Sequence, residues 1–318
     1  MPSTETFTIG VLSYPRVQRS AVYGLIDLLE SADRQYQADM PSGAAHRLVV
    51  EAIEEISPDQ ATHFTAIILP PSLDGDAAAC CEDYAHWLNT MHQQGVLVCS
   101  VCAGAFLLAQ AGLLEGRAAT THWMLADAFR QRYPAVKLDT DKLIIDDGDI
   151  ITAGGLMAWI DLGLKIVDRY LGPSAMLATA RYLLVDPGGR EQRFYSVFSP
   201  ALSHGDSAIL KVQHWLQTRY EAPVTVTDMG QIANLSPRTF IRRFHQATGL
   251  NPSEYLQHLR IGKARSLMES SSLSVDEIAW QTGYRDTSAF RRIFQKVMGL
   301  TPREYRYRFT AVGSRVEE

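Results

Sequence analysis

The chain has 318 residues, 46% of them apolar and 20% charged, which is ordinary globular composition with room for about two domains. No apolar run approaches the roughly 20 residues of a membrane helix, and the opening MPSTETFTIG has no secretory pattern. We therefore expect a cytoplasmic protein with no membrane contact. The net charge of −5 hides an asymmetry, because residues 207–318 hold 16 Lys and Arg against 10 Asp and Glu, while residues 1–206 hold 14 against 25.

Strand and helix patterns alternate over the first half of the chain. Strand-like apolar runs lie at 7–12, 47–53, 65–71 and 96–98. Helical spacing of apolar residues is found at 22–32, 76–95 and 156–172. Residues 142–155, KLIIDDGDIITAGG, read as a hairpin that runs into a turn. Such alternation predicts an α/β domain with a mostly parallel sheet flanked by helices.

The stretch GVLVCSVCAGAFLLAQAGLL, residues 95–114, predicts a strand, a sharp turn and a helix, with Cys102 at the bend. This is the geometry of a nucleophile elbow, and a helix N-terminus favours the thiolate. A working nucleophile also needs a base, for which His122 is the best candidate. If the domain is an enzyme, Cys102 and His122 are thus the expected catalytic residues. The alternative is a small residue that lines a binding pocket.

The cysteines allow two further interpretations, which the sequence disfavours. Cys99 and Cys102 form a C-S-V-C pair, but Cys99 belongs to the predicted strand, so its side chain is expected to pack in the sheet and not to act in a redox switch. All four cysteines lie between residues 80 and 102, which does not resemble a disulfide framework. The histidines are scattered without metal-ligand spacing, so we expect neither a metal nor a cofactor.

Residues 186–206, DPGGREQRFYSVFSPALSHGD, are rich in Pro, Gly, Ser and polar side chains and interrupt the alternating pattern. No strand signal follows them, and helical patterns continue to about residue 310. We therefore predict a first domain over 1–190, a linker over 191–206 and an all-helical second domain over 207–318.

The helical part contains an internal repeat with a constant offset of 50 residues. FIRRFHQATGLNPSEY, residues 240–255, matches FRRIFQKVMGLTPREY, residues 290–305, at seven aligned positions. Upstream, residues 226–236 match residues 275–286 in pattern. Two copies of one supersecondary unit are the simplest explanation.

Each copy predicts two short helices joined by a tight turn. In the first copy Asn234 makes the turn, and Ser236 followed by Pro237 is a strong signal for the start of the second helix. In the second copy Gly283 makes the turn and Asp286 caps the helix. The repeat therefore predicts two helix-turn-helix units.

The second helix of each unit has a buried and an exposed face. Phe240 and Phe244, like Phe290 and Phe294, are four residues apart and predict the face that packs in the core. Arginine pairs with guanine in the major groove, and hydroxyl groups contact bases or phosphates. The expected DNA-contacting residues are Arg238, Ile241 and Arg242 in the first copy and Thr287, Ser288, Arg291 and Arg292 in the second. The alternative, a solvated basic helix face, is disfavoured because two copies match.

The segments SPRTFIRRFHQATGLNPSEYLQHLRIGKARSLM and VDEIAWQTGYRDTSAFRRIFQKVMGLTPREYR resemble the AraC/XylS-type regulators over about a hundred residues. The resemblance implies two helix-turn-helix units in successive major grooves, joined by a helix from about Ser253 to Met268. It implies promoter DNA and RNA polymerase as partners, and the same base-contacting positions. This chain departs at Gly230, where the family prefers alanine, and at Asn234, where the turn usually has glycine.

The first part resembles the ThiJ/PfpI superfamily, the class I glutamine-amidotransferase-like fold, in SVCAGAFLLAQAGLLEGRAATTHW and ITAGGLMAWIDLGLKIV. Together with the second part, the chain resembles regulators of the GlxA type. In enzymes of the superfamily an acidic residue bonds the cysteine, but the aligned position here is Ala21, and Asp27 lies further along the helix. Pro70 and Pro71 replace the customary glycine pair, and proline lacks the N–H that an oxyanion needs.

These departures favour a pocket that binds a ligand over one that catalyses a reaction. Its expected wall residues are Cys102, Ala103, His122, Trp123, Thr152, Gly154 and Met157. The resemblance implies a small, nitrogen-containing effector, and Trp123 or Tyr14 would offer a cation an aromatic face. We therefore expect a dimeric, ligand-responsive transcriptional activator. The alternatives are a cysteine-dependent hydrolase or glyoxalase-type enzyme with a DNA-binding tail, and a pure dimerisation module.

Overall fold

The computed structural model describes residues 4–40, 45–56, 63–73, 82–188, 190–198, 200, 202 and 204–309. The chain divides into two compact units, Met1–Gln192 and Arg193–Glu318. Within the described ranges, no helix has the length and apolar character needed to cross a membrane.

The first unit is an α/β structure. Its strands are β1 (Glu5–Leu12), β2 (His46–Ile53), β3 (Ala66–Leu69), β4 (Leu97–Val101), β5 (Ala118–Ala119), β6 (Lys137–Leu138), β7 (Ile144–Asp146) and β8 (Ile150–Ala153). Its helices are α1 (Arg19–Ala38), α2 (Glu82–Gln93), α3 (Gly104–Gln110), α4 (Ala126–Arg132), α5 (Trp159–Leu171) and α6 (Pro173–Leu183).

The main sheet confirms the predicted fold class. Its strand order is β2-β1-β3-β4-β8-β7, and every neighbouring pair is parallel except β7 and β8. The antiparallel pair is the hairpin predicted over 142–155. All residues of β3 and β4 are buried, as expected for central strands covered on both faces. The carboxyl ends of these parallel strands meet at one edge, which is where the Cys102 turn lies.

Some elements were missing from the sequence interpretation or had different bounds. Helix α1 begins at Arg19 and not near residue 22, and the first described residue of α2 is Glu82. Helices α4 and α6 and the small parallel pair of β5 and β6 were not predicted. Gly172 ends α5 as expected, with a φ of 89°, but Pro173 starts α6 at once, because proline is favoured in the first helical turn.

The second unit is entirely helical in its described residues. Its helices are α7 (Ser207–Arg219), α8 (Val226–Ile232), α9 (Pro237–Thr248), α10 (Pro252–Ser270), α11 (Val275–Gln281), α12 (Thr287–Met298) and α13 (Pro302–Phe309). Helices α8 and α9 form the first helix-turn-helix and α11 and α12 the second. Helix α10 joins them over nearly the predicted range. Tyr255 of α10 packs in the core of the first helix-turn-helix, and Met268 of α10 packs in the core of the second.

The two copies share their capping interactions. Thr225 before α8 and Ser274 before α11 each form a capping box, with Asp228 and Glu277 respectively. Helices α9 and α12 both end at a glycine in the left-handed region, with φ values of 73° and 76°. The repeat is thus a structural duplication as well as a sequence duplication.

The turns also agree with the prediction. Asn234 has a φ of 54° and Gly283 a φ of 84°, so each copy turns through a left-handed residue. Asp286 accepts a hydrogen bond from the Ser288 N–H at 2.9 Å. Ser236 precedes Pro237 at the start of α9, but its hydroxyl donates to Thr239 Oγ1 at 3.0 Å and caps no backbone group.

Replacement of Gly230 in α8 by alanine should stabilise the helical domain. A Cβ there would lie 3.5 Å from the Leu235 carbonyl oxygen and 3.9 Å from Phe240, which are ordinary contacts. We expect Gly230→Ala to raise the free energy of unfolding by about 0.5–1 kcal/mol, because alanine loses less backbone entropy in a helix. Urea unfolding followed by circular dichroism measures the change.

Gly283→Ala is the matched control for this substitution. A Cβ at Gly283 would lie 2.7 Å from the Glu221 carbonyl oxygen, in a backbone conformation that alanine avoids. We expect this variant to be less stable than the parent chain. A loss of stability in Gly230→Ala as well would contradict the packing described for α8.

Candidate functional site

The predicted elbow is present at the end of β4. Cys102 has a φ of 55°, and its N–H donates to the Ala153 carbonyl oxygen at 2.7 Å. Helix α3 begins two residues later at Gly104, where a Cβ would lie 2.9 Å from the Leu69 carbonyl oxygen. The tight packing of α3 against the end of β3 therefore requires glycine, and it holds Cys102 in the bend.

The environment of Cys102 does not favour a thiolate. The side chain is 3% exposed, and burial raises the pKa of the thiol to about 11, although backbone N–H groups of Ala103 and Gly155 bond the sulfur and lower it. His122 is half-buried, which lowers its pKa, so its imidazole is neutral at pH 7. Its Nδ1 accepts the Met124 N–H at 3.1 Å, and within the described part of the chain no hydrogen bond joins it to Cys102.

The acidic partner of the superfamily enzymes has no counterpart at the aligned positions. Ala21 is buried in α1, and Asp27 is exposed on the same helix. The Pro70 carbonyl oxygen accepts a hydrogen bond from the Tyr14 hydroxyl group. Tyr14 is only 2% exposed, so the aromatic face expected for a cation belongs to the core.

The other expected wall residues of the pocket fall into two groups. Ala103, Thr152 and Gly154 are buried, whereas Trp123 is half-buried and Met157 is half exposed. The Thr152 hydroxyl accepts the Thr120 N–H at 2.8 Å. The assignment of these residues to a ligand site stays a prediction.

A residue that sequence reasoning missed lies beside this group. Gln192 comes from the predicted linker, yet it is 3% exposed. Its carboxamide lies so close to Gly154 that a Cβ there would be 1.8 Å from Nε2. Its Oε1 accepts the Trp123 N–H at 3.1 Å. No periodicity marks a single buried glutamine in a polar segment, so the sequence carried no signal for it.

A cleft with a volume of about 420 Å³ lies at the carboxyl end of β1. It is lined by Ser13, Tyr14, Pro15, Arg16, Val17, Arg19, Val22, Tyr23, Glu54 and Tyr84. None of the residues expected to bind an effector lines this cleft apart from Tyr14.

The remaining cysteines and the histidines give no metal or redox site in the described residues. Cys99 is fully buried in β4, and burial raises the pKa of its thiol far above the usual range. Cys80 and Cys81 lie outside the described residues. In the part of the chain that the structure describes, no three His, Cys, Asp or Glu side chains are close enough to hold a metal ion.

The predicted DNA-contacting residues of the first copy lie on the exposed face of α9. Arg238, Ile241 and Arg242 are exposed, while Phe240 and Phe244 are completely buried. Arg238 and Arg242 are one helical turn apart, and neither makes an ion pair with another described residue. The neighbouring Arg243 instead donates two hydrogen bonds to Asp206, at 2.9 and 2.6 Å.

Helix α12 of the second copy has the same arrangement. Ser288, Arg291 and Arg292 are exposed and Thr287 is half-buried. Arg291 donates to the Asp276 carboxylate of α11 at 2.9 Å, whereas Arg292 has no ion pair among the residues that the structure describes. The two helices thus expose arginines at corresponding positions, opposite the phenylalanines that hold each helix in its core.

These two units define a protein with an amidotransferase-like α/β domain and a duplicated helix-turn-helix domain. The model of the DJ-1/PfpI family matches residues 27–169, and the model of a helix-turn-helix domain matches residues 229–308. The chain belongs to the family of HTH-type transcriptional regulators that includes GlxA.

Curated relatives place the chain in this family. It is 30% identical to the HTH-type transcriptional regulator GlxA of Rhizobium meliloti over 224 residues, which cover 70% of this chain and 68% of that protein. It is also 30% identical to the regulator CdhR of Pseudomonas aeruginosa, over 69% of this chain and 66% of CdhR. The alignments thus span about two thirds of the relatives' length. The crystal structure of Drosophila melanogaster DJ-1beta is 20% identical, covering 57% of this chain and 99% of that chain, with a TM-score of 0.44.

Proposed function

We propose that the chain is a transcriptional regulator whose helical unit binds promoter DNA and whose α/β unit binds a small-molecule effector. The observation that carries the proposal is the pair of helices α9 and α12, which expose arginines at matching positions. Arginine contacts guanine in the major groove with two hydrogen bonds, and two such helices would read two successive sites. The family assignment supports the same conclusion.

The finer features of this function are also proposals. We propose that the protein acts in the cytoplasm, where bacterial promoters lie, and that it forms a homodimer. We propose that it activates transcription together with RNA polymerase, as the resemblance to AraC/XylS-type regulators implies. Paired subunits would double the number of phosphate contacts and so increase affinity for a symmetric operator.

We propose that the α/β unit binds its effector without catalysis, in a pocket that includes Cys102, Ala103, His122, Trp123, Thr152, Gly154 and Met157. A protonated, buried thiol is a poor nucleophile, and His122, which makes no hydrogen bond to it, is not placed to act as its base. Small nitrogen-containing metabolites are the proposed effectors, as the resemblance to regulators of the GlxA type implies.

The experiment that tests the proposal measures the affinity of the full chain for its own promoter fragment. Fluorescence anisotropy would be recorded with and without each metabolite that shifts the melting temperature of the protein. Specific binding that changes with such a metabolite supports an effector-responsive regulator. Binding that is no tighter than to a scrambled fragment would contradict the proposal.

Alkylation of Cys102 tests the absence of nucleophilic chemistry. With a pKa of about 11, the thiol should be roughly 0.03% ionised at pH 7.5, against about 10% for an ordinary cysteine. We expect iodoacetamide to modify Cys102 at least about 100-fold more slowly than a free cysteine peptide. Peptide-resolved mass spectrometry measures the rate, which should rise with pH up to about 11.

The elbow geometry itself favours a second candidate, a cysteine-dependent enzyme attached to a DNA-binding unit. Rapid alkylation of Cys102 at pH 7.5 would support that candidate and contradict the proposed sensor. Turnover of a substrate by the parent chain that is lost in Cys102→Ala would likewise support the enzyme.

A further inference from the structure

The carboxamide of Gln192 occupies a complete set of complementary polar groups. Its Nε2 donates to Thr120 Oγ1, the Thr121 carbonyl oxygen and the Lys142 carbonyl oxygen at 3.0, 2.9 and 3.0 Å. Its Oε1 accepts the Trp123 N–H at 3.1 Å. The pocket around Gln192, which we call the amide pocket, therefore presents three acceptors at one end and one donor at the other.

This set of groups selects a primary carboxamide over other small polar groups. A carboxylate would place an oxygen against two carbonyl oxygens and Thr120 Oγ1. An ammonium group would leave the Trp123 N–H without a partner, and an unpaired buried donor is costly. Gly154 leaves room for the flat amide, since any Cβ there would collide with it.

The amide pocket adjoins the elbow. Thr121 Oγ1 donates to the Cys102 carbonyl oxygen at 2.7 Å, and the Thr120 N–H donates to Thr152 Oγ1 at 2.8 Å. Trp123 and Thr152 are also proposed wall residues of the effector site. A ligand that accepts the Trp123 N–H competes with Gln192 Oε1 for that hydrogen bond.

The residues that directly follow Gln192 are anchored in the second unit. We call residues 193–198 the strap. Arg193 and Phe194 pack over Gly299 at the end of α12, where a Cβ would lie 2.3 Å from Arg193 Nε and 2.6 Å from Phe194 Cε1. The Ser196 carbonyl oxygen accepts a hydrogen bond from Arg265 at 2.6 Å, and Phe198 packs edge-to-face on Tyr255.

Gln192 and Arg193 are consecutive residues, so the segment that supplies the carboxamide continues directly into the strap. Displacement of the Gln192 carboxamide breaks the side-chain bonds of the residue that precedes the strap, while its N–H keeps a hydrogen bond to the Asp141 carbonyl oxygen at 3.0 Å.

We propose that the amide pocket is a binding site for a primary carboxamide, occupied by the chain's own Gln192 until an effector that carries such a group displaces it. Displacement loosens the residue to which the strap is joined and thereby changes the affinity of the helical unit for DNA. The inference rests on the proposed effector function and names the chemical class that the site recognises.

Chemical rescue tests the amide pocket independently of DNA. We expect Gln192→Ala in the full chain to lower the melting temperature by about 2–8 °C, and propionamide to restore it in a saturable way. Propionate and N,N-dimethylpropionamide should not restore it, because neither supplies an NH₂ group. Gln192→Glu should also be destabilised but not rescued, since its side chain still fills the pocket.

The exposed Gln93→Ala variant is the control for general effects of amides on stability, and propionamide should leave its melting temperature unchanged. Equal effects of propionamide and propionate on Gln192→Ala would overturn the assignment of the pocket. This outcome does not depend on promoter binding, so it differs from a failure of the proposed function.

The second measurement concerns the strap. We expect Gln192→Ala to change the affinity for the promoter fragment by at least 3-fold, and propionamide to restore the melting temperature but not the affinity, because it is not joined to the strap. Promoter affinity equal to that of the parent chain in both conditions would overturn the coupling through Gln192.

Discussion

The double substitution Arg242→Ala and Arg292→Ala is expected to weaken binding to the promoter fragment by about 2–6 kcal/mol, or roughly 30-fold to 25,000-fold. Each arginine lies on the exposed face of its helix without an ion pair among the described residues, so it can make a bidentate contact with a guanine worth about 1–3 kcal/mol. Fluorescence anisotropy at a fixed salt concentration measures the change, because protein–DNA affinities depend strongly on salt.

Two control variants make this measurement specific. Arg219→Ala removes an exposed arginine of α7, outside the repeat, and should change affinity by less than 3-fold. The single variants should each lose part of the affinity and relax the base preference of one half of the site. Unchanged affinity in the double variant would remove the main support for DNA recognition by α9 and α12.

Phe294→Ala is expected to lower the free energy of unfolding of the second helix-turn-helix by about 3–5 kcal/mol. Phe294 is completely buried and packs edge-to-face on Tyr305, with ring centroids 5.6 Å apart. It also contacts Phe290 in a tilted arrangement, with centroids 5.7 Å apart. Removing the ring leaves a cavity that these aromatic neighbours cannot fill. Urea unfolding measures the loss of stability.

Hydrogen exchange would show which helices lose stability in Phe294→Ala. The second copy has its own core, separate from that of the first, so Phe294→Ala should speed exchange mainly in α11 and α12. Phe244→Ala is the matched variant of the first copy and should act mainly on α8 and α9. Ile241→Ala, on the exposed face, should change stability by less than about 1 kcal/mol. Equal loss of protection in both copies would show that the two cores unfold as one.

Most of the correct predictions rest on short-range patterns in the amino-acid sequence. The alternation of strands and helices, the buried phenylalanine pairs and the left-handed turns at Asn234 and Gly283 all appear in the structure. Each depends on interactions over three or four residues, or on the conformational preference of one residue. Such information is contained in the local sequence, and so the fold class and the repeat could be predicted.

Tertiary packing decided what the local patterns could not. The burial of Cys102, which makes the elbow thiol a weak nucleophile, depends on β3, β8 and α3 closing around it. Gln192 meets Thr120 and Thr121 across 72 and 71 residues of sequence, in a segment whose composition predicts a loose linker. Likewise, the packing of α7 and α9 brings Asp206 to Arg243 rather than to Arg242, and the two side chains form an ion pair.

The sequence by itself determined that this chain has an α/β domain followed by two helix-turn-helix units with basic exposed faces, because periodicity and capping act between near neighbours. The tertiary structure alone decided which polar groups meet at the elbow and that a glutamine of the connecting segment joins them. Hydrogen bonds between distant residues form only where the packed elements bring donor and acceptor within about 3 Å.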